Sequence, residues 1–243
     1  MLQQPPQRSR QNRQLLHPPL RLLLLGGLLE PQDLQPLLPP LKGRSRNHYD
    51  ADLPAELRDE MWRRYLEAIV RLKDSKKLIA VHFQFAPWVN ATPEWTAHVE
   101  DCVERMRGHL VAVEFRNRSW LADAPRTART LAWLRELGVA HTAVDEPQGV
   151  GHHIPSVWAV ADPRLAIVRL HGRNAETWDA KGLSSSAERF NYEYRDDELE
   201  DLAGHTLSLA EQAFQVAVLV NVNYGDQGIR AARRILALLA AAA

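Results

Sequence analysis

The sequence predicts an α/β domain built on a parallel sheet, as a layer or a barrel, and three observations predict it. Five short apolar strands alternate with helical segments from about Leu53 onward. The connections between most of them are helical and long enough to cross over, so successive strands pair in parallel. Each strand also carries polar or charged residues two apart, near its C-terminal end.

The elements follow in order. Asp52-Leu53-Pro54 places a capping residue and an early-turn proline before a helix over Ala55–Lys73, with Leu57, Met61, Tyr65, Leu66 and Ile69 on one face. Leu78–Phe85 reads as the first strand. Thr92-Pro93 opens a helix running towards Arg107, where Gly108 stops it. Val111–Arg116 is a strand, Pro125–Leu137 a helix closed by Gly138, and Ala140–Asp145 a strand. After a looser stretch come a strand over Leu165–His171, an acid-started helix over Asp196–Gln212, a strand over Val216–Asn223 and a final helix over Gly228–Leu239. No internal repeat is visible.

Residues 1–48 have a different texture from the domain at 49–243. Leu, Pro, Gln and Arg fill 35 of those 48 positions, and proline pairs at 5–6, 18–19 and 39–40 interrupt any helix or ladder. The apolar run Leu20–Leu29 is broken by Arg21, Gly26 and Gly27 and is too short to span a bilayer. Glu30-Pro31-Gln32 stands where a signal peptide needs small residues. The segment is expected to be disordered. Its composition is also what a GC-rich frame read out of register gives, which makes genuine coding an open question.

Over the whole chain Lys+Arg and Asp+Glu both total 30, so zero net charge counts against a nucleic-acid partner. The lone Cys102 excludes an internal disulfide framework and a cysteine metal cluster, and it points to a reducing, cytoplasmic setting. No membrane partner is expected.

The strand ends carry the candidate chemistry. His82 and Gln84 share one face of the first strand, Glu114 and Arg116 one face of the second, and His141 and Asp145 one face of the third. Arg169 and His171 pair likewise in the fourth, Asn221 and Asn223 in the fifth. Five such pairs converging at the C-terminal mouth of a barrel describe a site better than an inert ionic plug.

Val113-Glu114-Phe115-Arg116-Asn117-Arg118-Ser119-Trp120 resembles the V-E-F-R-H-x-S-W element of the DUF72 (YecE-like) family. Arg169-Leu170-His171-Gly172-Arg173-Asn174, then Trp178, then Arg189-Phe190-Asn191-Tyr192-Glu193-Tyr194 resembles that family's R-L-H-G-R-N…W…R-F-x-Y-x-Y stretch. Gln84-Phe85-Ala86-Pro87-Trp88 and Val220-Asn221-Val222-Asn223 resemble two further strand ends. The likeness runs over about residues 75–240. It implies a TIM-barrel-like fold and a pocket, and it carries no substrate with it. The family's opening G-T-S-G-W and V-E-x-N-x-x-F-Y strands are missing from residues 1–48, Asn117 replaces a usual histidine, and Tyr224 departs from the late strand's pattern. With about five strands of the eight that a full barrel has, the barrel is expected to be incomplete and open.

Glu114 is the candidate general base or acid, His171 its proton-transfer partner, and Asp145 an orienter or second carboxylate. Arg116, Arg169 and Arg173 suit a carboxylate or phosphate because a guanidinium bonds both oxygens at once. Trp120, Trp178, Tyr192 and Tyr194 offer an aromatic rim for a sugar or base, while Gln84, Asn221 and Asn223 offer contacts to substrate hydroxyls. A metal held by His82, His141, His171, Glu114 and Asp145 lacks any supporting local spacing. His152-His153 reads as a solvated loop, and Cys102 as packing. Neither G-x-S-x-G nor GxGxxG nor a P-loop occurs, so no cofactor is identified. Three readings remain: an acid/base or hydrolytic enzyme for a small anionic or sugar-like substrate, a non-catalytic module binding nucleic acid or protein, and an inactive remnant.

Overall fold

The structure, a computed structural model, describes residues 53–149, 151, 153–183 and 185–242. The segment 1–48 and His152 lie outside the described residues. The elements in chain order are α1 (Ala55–Asp74), β1 (Val81–Phe85), α2 (Pro93–Arg105), β2 (Val111–Phe115), α3 (Ala124–Glu136), β3 (Val139–Asp145), β4 (Ala166–Leu170), α4 (Ser186–Arg189), α5 (Asp196–Ala210), β5 (Val216–Val220) and α6 (Gln227–Ala242). A 3-10 turn over Arg118–Trp120 and the short α4 are the elements beyond the sequence expectation.

All five strands pair in parallel in the order β1-β2-β3-β4-β5, so β1 and β5 are the edges of the sheet among the described residues. Helix boundaries follow their local chemistry. Pro93 occupies the first turn of α2, where its missing N–H costs nothing. The Asp123 carboxylate accepts from the Arg126 N–H at 2.7 Å to cap α3. Gly138 reverses the chain at φ 65° so that β3 starts at once. β1 is shorter than its apolar run: Ile79 precedes the ladder and is 53% exposed.

One face of the sheet meets the helices. Val81, Phe83 and Phe85 of β1 and Val111, Val113 and Phe115 of β2 pack with Ile69, Trp95, Val99 and Leu134 in one cluster. Trp62, absent from the face expected for α1, is buried there against Phe83, ring centroids 6.2 Å apart, while Met61 stays half-buried. A second cluster joins Ala166, Val168 and Leu170 of β4 to Leu199, Leu202 and Leu209 of α5 and Ile235 of α6. The other face is filled low down by Ala112, Ala140, Leu165 and Ile167 and turns polar towards the strands' C-terminal ends.

Trp120 belongs to the helix side and not to an aromatic rim. It stacks on Phe115 at 4.3 Å and on Trp133 at 5.4 Å, and its indole N–H donates to the Val89 carbonyl at 2.8 Å. Phe115 points to the helices, and the turn after it carries Trp120 to the same side. Trp120→Ala is therefore expected to cost about 3–5 kcal/mol of stability, read as a lower urea midpoint. A midpoint within about 1 kcal/mol of wild type would show that this stack contributes little.

Candidate functional site

The register aligns the polar side chains of the inner face. Gln84 of β1 lies opposite Glu114 of β2, and Arg169 of β4 lies opposite Leu219 of β5 with Asn221 just beyond. Glu114 is fully buried, and burial alone disfavours its charge. The hydrogen bond from His171 and the charges of Arg169 and Arg116 more than offset that, holding the carboxyl well below its ordinary range. Arg169 Nη1 donates to Glu114 Oε2 at 2.5 Å and to Gln84 Oε1 at 2.7 Å.

Asn221 fixes the protonation pattern. Its Oδ1 accepts from Arg169 Nη2 at 3.0 Å, so its Nδ2 faces His171 Nδ1, also at 3.0 Å. That ring nitrogen must accept, which leaves the His171 proton on Nε2, donated to Glu114 Oε1 at 3.1 Å. The four residues form a closed ring of hydrogen bonds around a neutral imidazole. Burial also lowers the His171 pKa, in agreement with a neutral ring. On the β1 side, His82 Nε2 meets Thr142 Oγ1 at 3.0 Å and lies 3.8 Å from Glu114 Oε2.

The third strand breaks the expected convergence. Val113, which faces the helices, lies opposite His141, while Thr142 lies opposite Ile167 of the inner face. β3 thus presents Ala140 and Thr142 inward and turns His141 and Asp145 the other way. His141 bonds the Val157 carbonyl at 3.1 Å, and its Nδ1 is buried without a partner. Asp145 makes no side-chain bond to His171. It accepts from Arg173 Nε at 2.9 Å and from the Tyr194 hydroxyl at 2.6 Å. All seven residues of β3 are buried, so no solvent-facing side marked its orientation in the sequence.

Glu146, next along the chain, is a member that sequence reasoning passed over. It is fully buried, accepts from Arg116 Nη1 at 2.6 Å, and takes the Ile154 N–H at 2.5 Å. Burial pushes its carboxyl up, and Arg116 only partly counters this. Arg116 Nη1 also lies 3.4 Å from Glu114 Oε1, so one guanidinium bridges two buried carboxylates. Its Cζ lies over the Trp178 ring, 5.4 Å from the centroid. The only cue was the Asp145-Glu146 pair at a strand end.

The remaining candidates scatter. Arg173 joins Asp145 to Glu198, whose Oε1 also accepts the Tyr192 hydroxyl at 2.7 Å. Burial and the Glu198 carboxylate raise the Tyr192 hydroxyl to about 12. Tyr192 and Tyr194 thus hold carboxylates beside α5, and Asn223 is exposed beyond β5. A cavity of about 310 Å³ opens beside the cluster, lined by Asp145, Glu146, Gln148, Ser156, Trp158 and Arg173 together with Asp201. Among the described residues no three His, Cys, Asp or Glu side chains are grouped to hold a metal ion, and no helix is long and apolar enough to cross a membrane.

Known proteins share this fold. The model of the family described as "Protein of unknown function DUF72" matches residues 42–243. The UPF0759 protein YunF of Bacillus subtilis is 32% identical over 211 residues, 86% of this chain and 74% of its own length. The crystal structure of a DUF72 family protein from Enterococcus faecalis V583 has 29% identity and a TM-score of 0.71, covering 82% of this chain and 70% of its own. One from Thermotoga maritima MSB8 has 26% identity and a TM-score of 0.66, covering 74% and 65%. The fold is TIM-barrel-like, with five strands among the described residues.

Two buried histidines and one largely buried one predict acid sensitivity. Burial lowers His82 and His141 to about 4 and lowers His171 as well. In the unfolded chain each takes up its proton near pH 6.5. Below that value the unfolded state binds more protons, so stability falls with pH until the folded groups protonate. Urea midpoints should drop from about pH 6.5 towards pH 4, each histidine adding up to about 1.4 kcal/mol per pH unit. In His82→Gln the fall should be shallower, and a flat profile between pH 7 and 5 would show these rings free to charge in place.

Proposed function

We propose that this chain, which belongs to the DUF72 family, carries an acid/base or hydrolytic site for a small anionic or sugar-like substrate at the C-terminal ends of its strands. The observation that supports this reading is the pair of carboxylates on either side of Arg116. Glu114 is held ionised, and Glu146, which borders the cavity, is pushed towards its protonated form. Neighbouring carboxyls driven apart in this way divide the labour of base and acid. In this reading Glu114 is the base, and His171, neutral with its Nε2–H on Glu114, hands that proton over only as its Nδ1 takes up another. Asp145 acts as a positioning residue, because Arg173 and Tyr194 take up its oxygens.

The binding-module reading needs an open, arginine-lined groove. Arg169 and Arg173 are instead committed to Glu114, Asp145 and Glu198, which weighs against it.

The test is turnover of a panel of neutral sugars, sugar phosphates and small carboxylates by the full chain, followed by NMR. Glu114→Gln keeps the shape and removes the charge, so it should lower kcat/KM at least about 100-fold. Its fold is checked by circular dichroism. Undiminished turnover in a folded Glu114→Gln protein, or no conversion of any panel member by wild type, would overturn the reading.

A further inference from the structure

Of the three arginines at the strand ends, two bond protein partners through more than one nitrogen. Arg169 uses Nη1 on Glu114 and Gln84 and Nη2 on Asn221. Arg173 uses Nε and Nη2 on Asp145 and Nη1 on Glu198. Arg116 differs, because both its bonds to Glu146 and Glu114 run through Nη1. Among the described residues Nε and Nη2 of Arg116 carry no hydrogen bond, and neither is among the buried polar atoms lacking a partner. The side chain keeps 14% of its surface exposed, so the arginine is not sealed from solvent.

Nη1 is the nitrogen on the Cδ side of a guanidinium. The edge left over is therefore the parallel Nε–H and Nη2–H pair that matches two oxygens of one carboxylate or phosphate. Two anchors fix its position beforehand: the carboxylates on Nη1 and the Trp178 ring under Cζ. A donor pair held in place loses little entropy when an anion arrives.

We propose that the Nε/Nη2 edge of Arg116 is an oxyanion-binding site, and that the substrate of this protein therefore bears a carboxylate or a phosphate group. The inference rests on the proposed substrate site and narrows its substrate class from anionic or sugar-like to anionic. Charge balance is compatible with an anion there, since Arg169 bonds Glu114 directly and burial favours the neutral form of Glu146.

The experiment is calorimetric titration of the full chain with inorganic phosphate, with acetate and with glycerol as the neutral control. Wild type should bind one of the two anions saturably and glycerol not at all, and which anion binds identifies the group. Arg116→Lys keeps the charge that Glu114 and Glu146 need and removes the paired edge, so the anion's affinity should fall about tenfold or more. Arg118→Ala, which alters an exposed arginine nearby, should bind as wild type does. Equal anion affinity in wild type and a folded Arg116→Lys overturns the proposal, as does the absence of anion binding by wild type. If wild type binds neither anion yet converts a neutral sugar through Glu114, the oxyanion site is wrong and the acid/base reading stands. If anion binding depends on Arg116 while nothing is turned over, the oxyanion site stands and the acid/base reading falls.

Discussion

The carboxylate of Glu114 lies inside the sheet with none of its surface exposed. Burying an ion there costs several kcal/mol unless its oxygens are met by charges and donors. Arg116 follows on the end of the same strand, β2, but the other partners come from elsewhere: Arg169 and His171 from β4 and its end, and Asn221, which orients His171, from beyond β5. A slip of one residue between any two of these strands would turn one partner to the helix side. The charge thus penalises a wrong register of β4 or β5 against β2, which apolar packing of similar valines and alanines does weakly.

A second ionic centre binds the loop after β4 to the helix that follows. Arg173 reaches both Asp145 at the end of β3 and Glu198 in the first turn of α5, and the Tyr194 hydroxyl links Asp145 to the Gly172 N–H at 2.9 Å. Gly172 has φ 82°, and a Cβ there would stand 2.7 Å from Tyr192 Cβ. Backbone and tyrosine therefore meet at a spacing only glycine permits. The first centre fixes the strands to one another, and the second fixes the loop that closes over their ends.

Much of this was legible in the sequence, and the failures have physical causes. Helix limits were readable because Pro93, Gly108 and Gly138 act through local geometry that needs no tertiary context, while the Asp123 cap that starts α3 at Ala124 went unread. The inner-face partners Gln84, Glu114, Arg169 and Asn221 were readable because their strands alternate polar with apolar residues near the ends. β3 gave no such guide, since Val139–Asp145 is buried throughout and small alanines stand on both faces. Trp120 was misplaced because a turn decides which side a residue just past a strand joins. Glu146 was passed over because its importance comes from Arg116, thirty positions away in sequence.

Asn221 carries a consequence of its own. An amide is the one side-chain group here with an acceptor at one tip and a donor at the other, and Arg169 claims the acceptor. The ring beyond it is thereby told which nitrogen must stay bare. With aspartate in its place, both tips would accept, and the imidazole could satisfy its two neighbours only by carrying two protons. Exchanging a single NH₂ for an oxygen would thus convert the neutral histidine at the heart of the sheet into a cation.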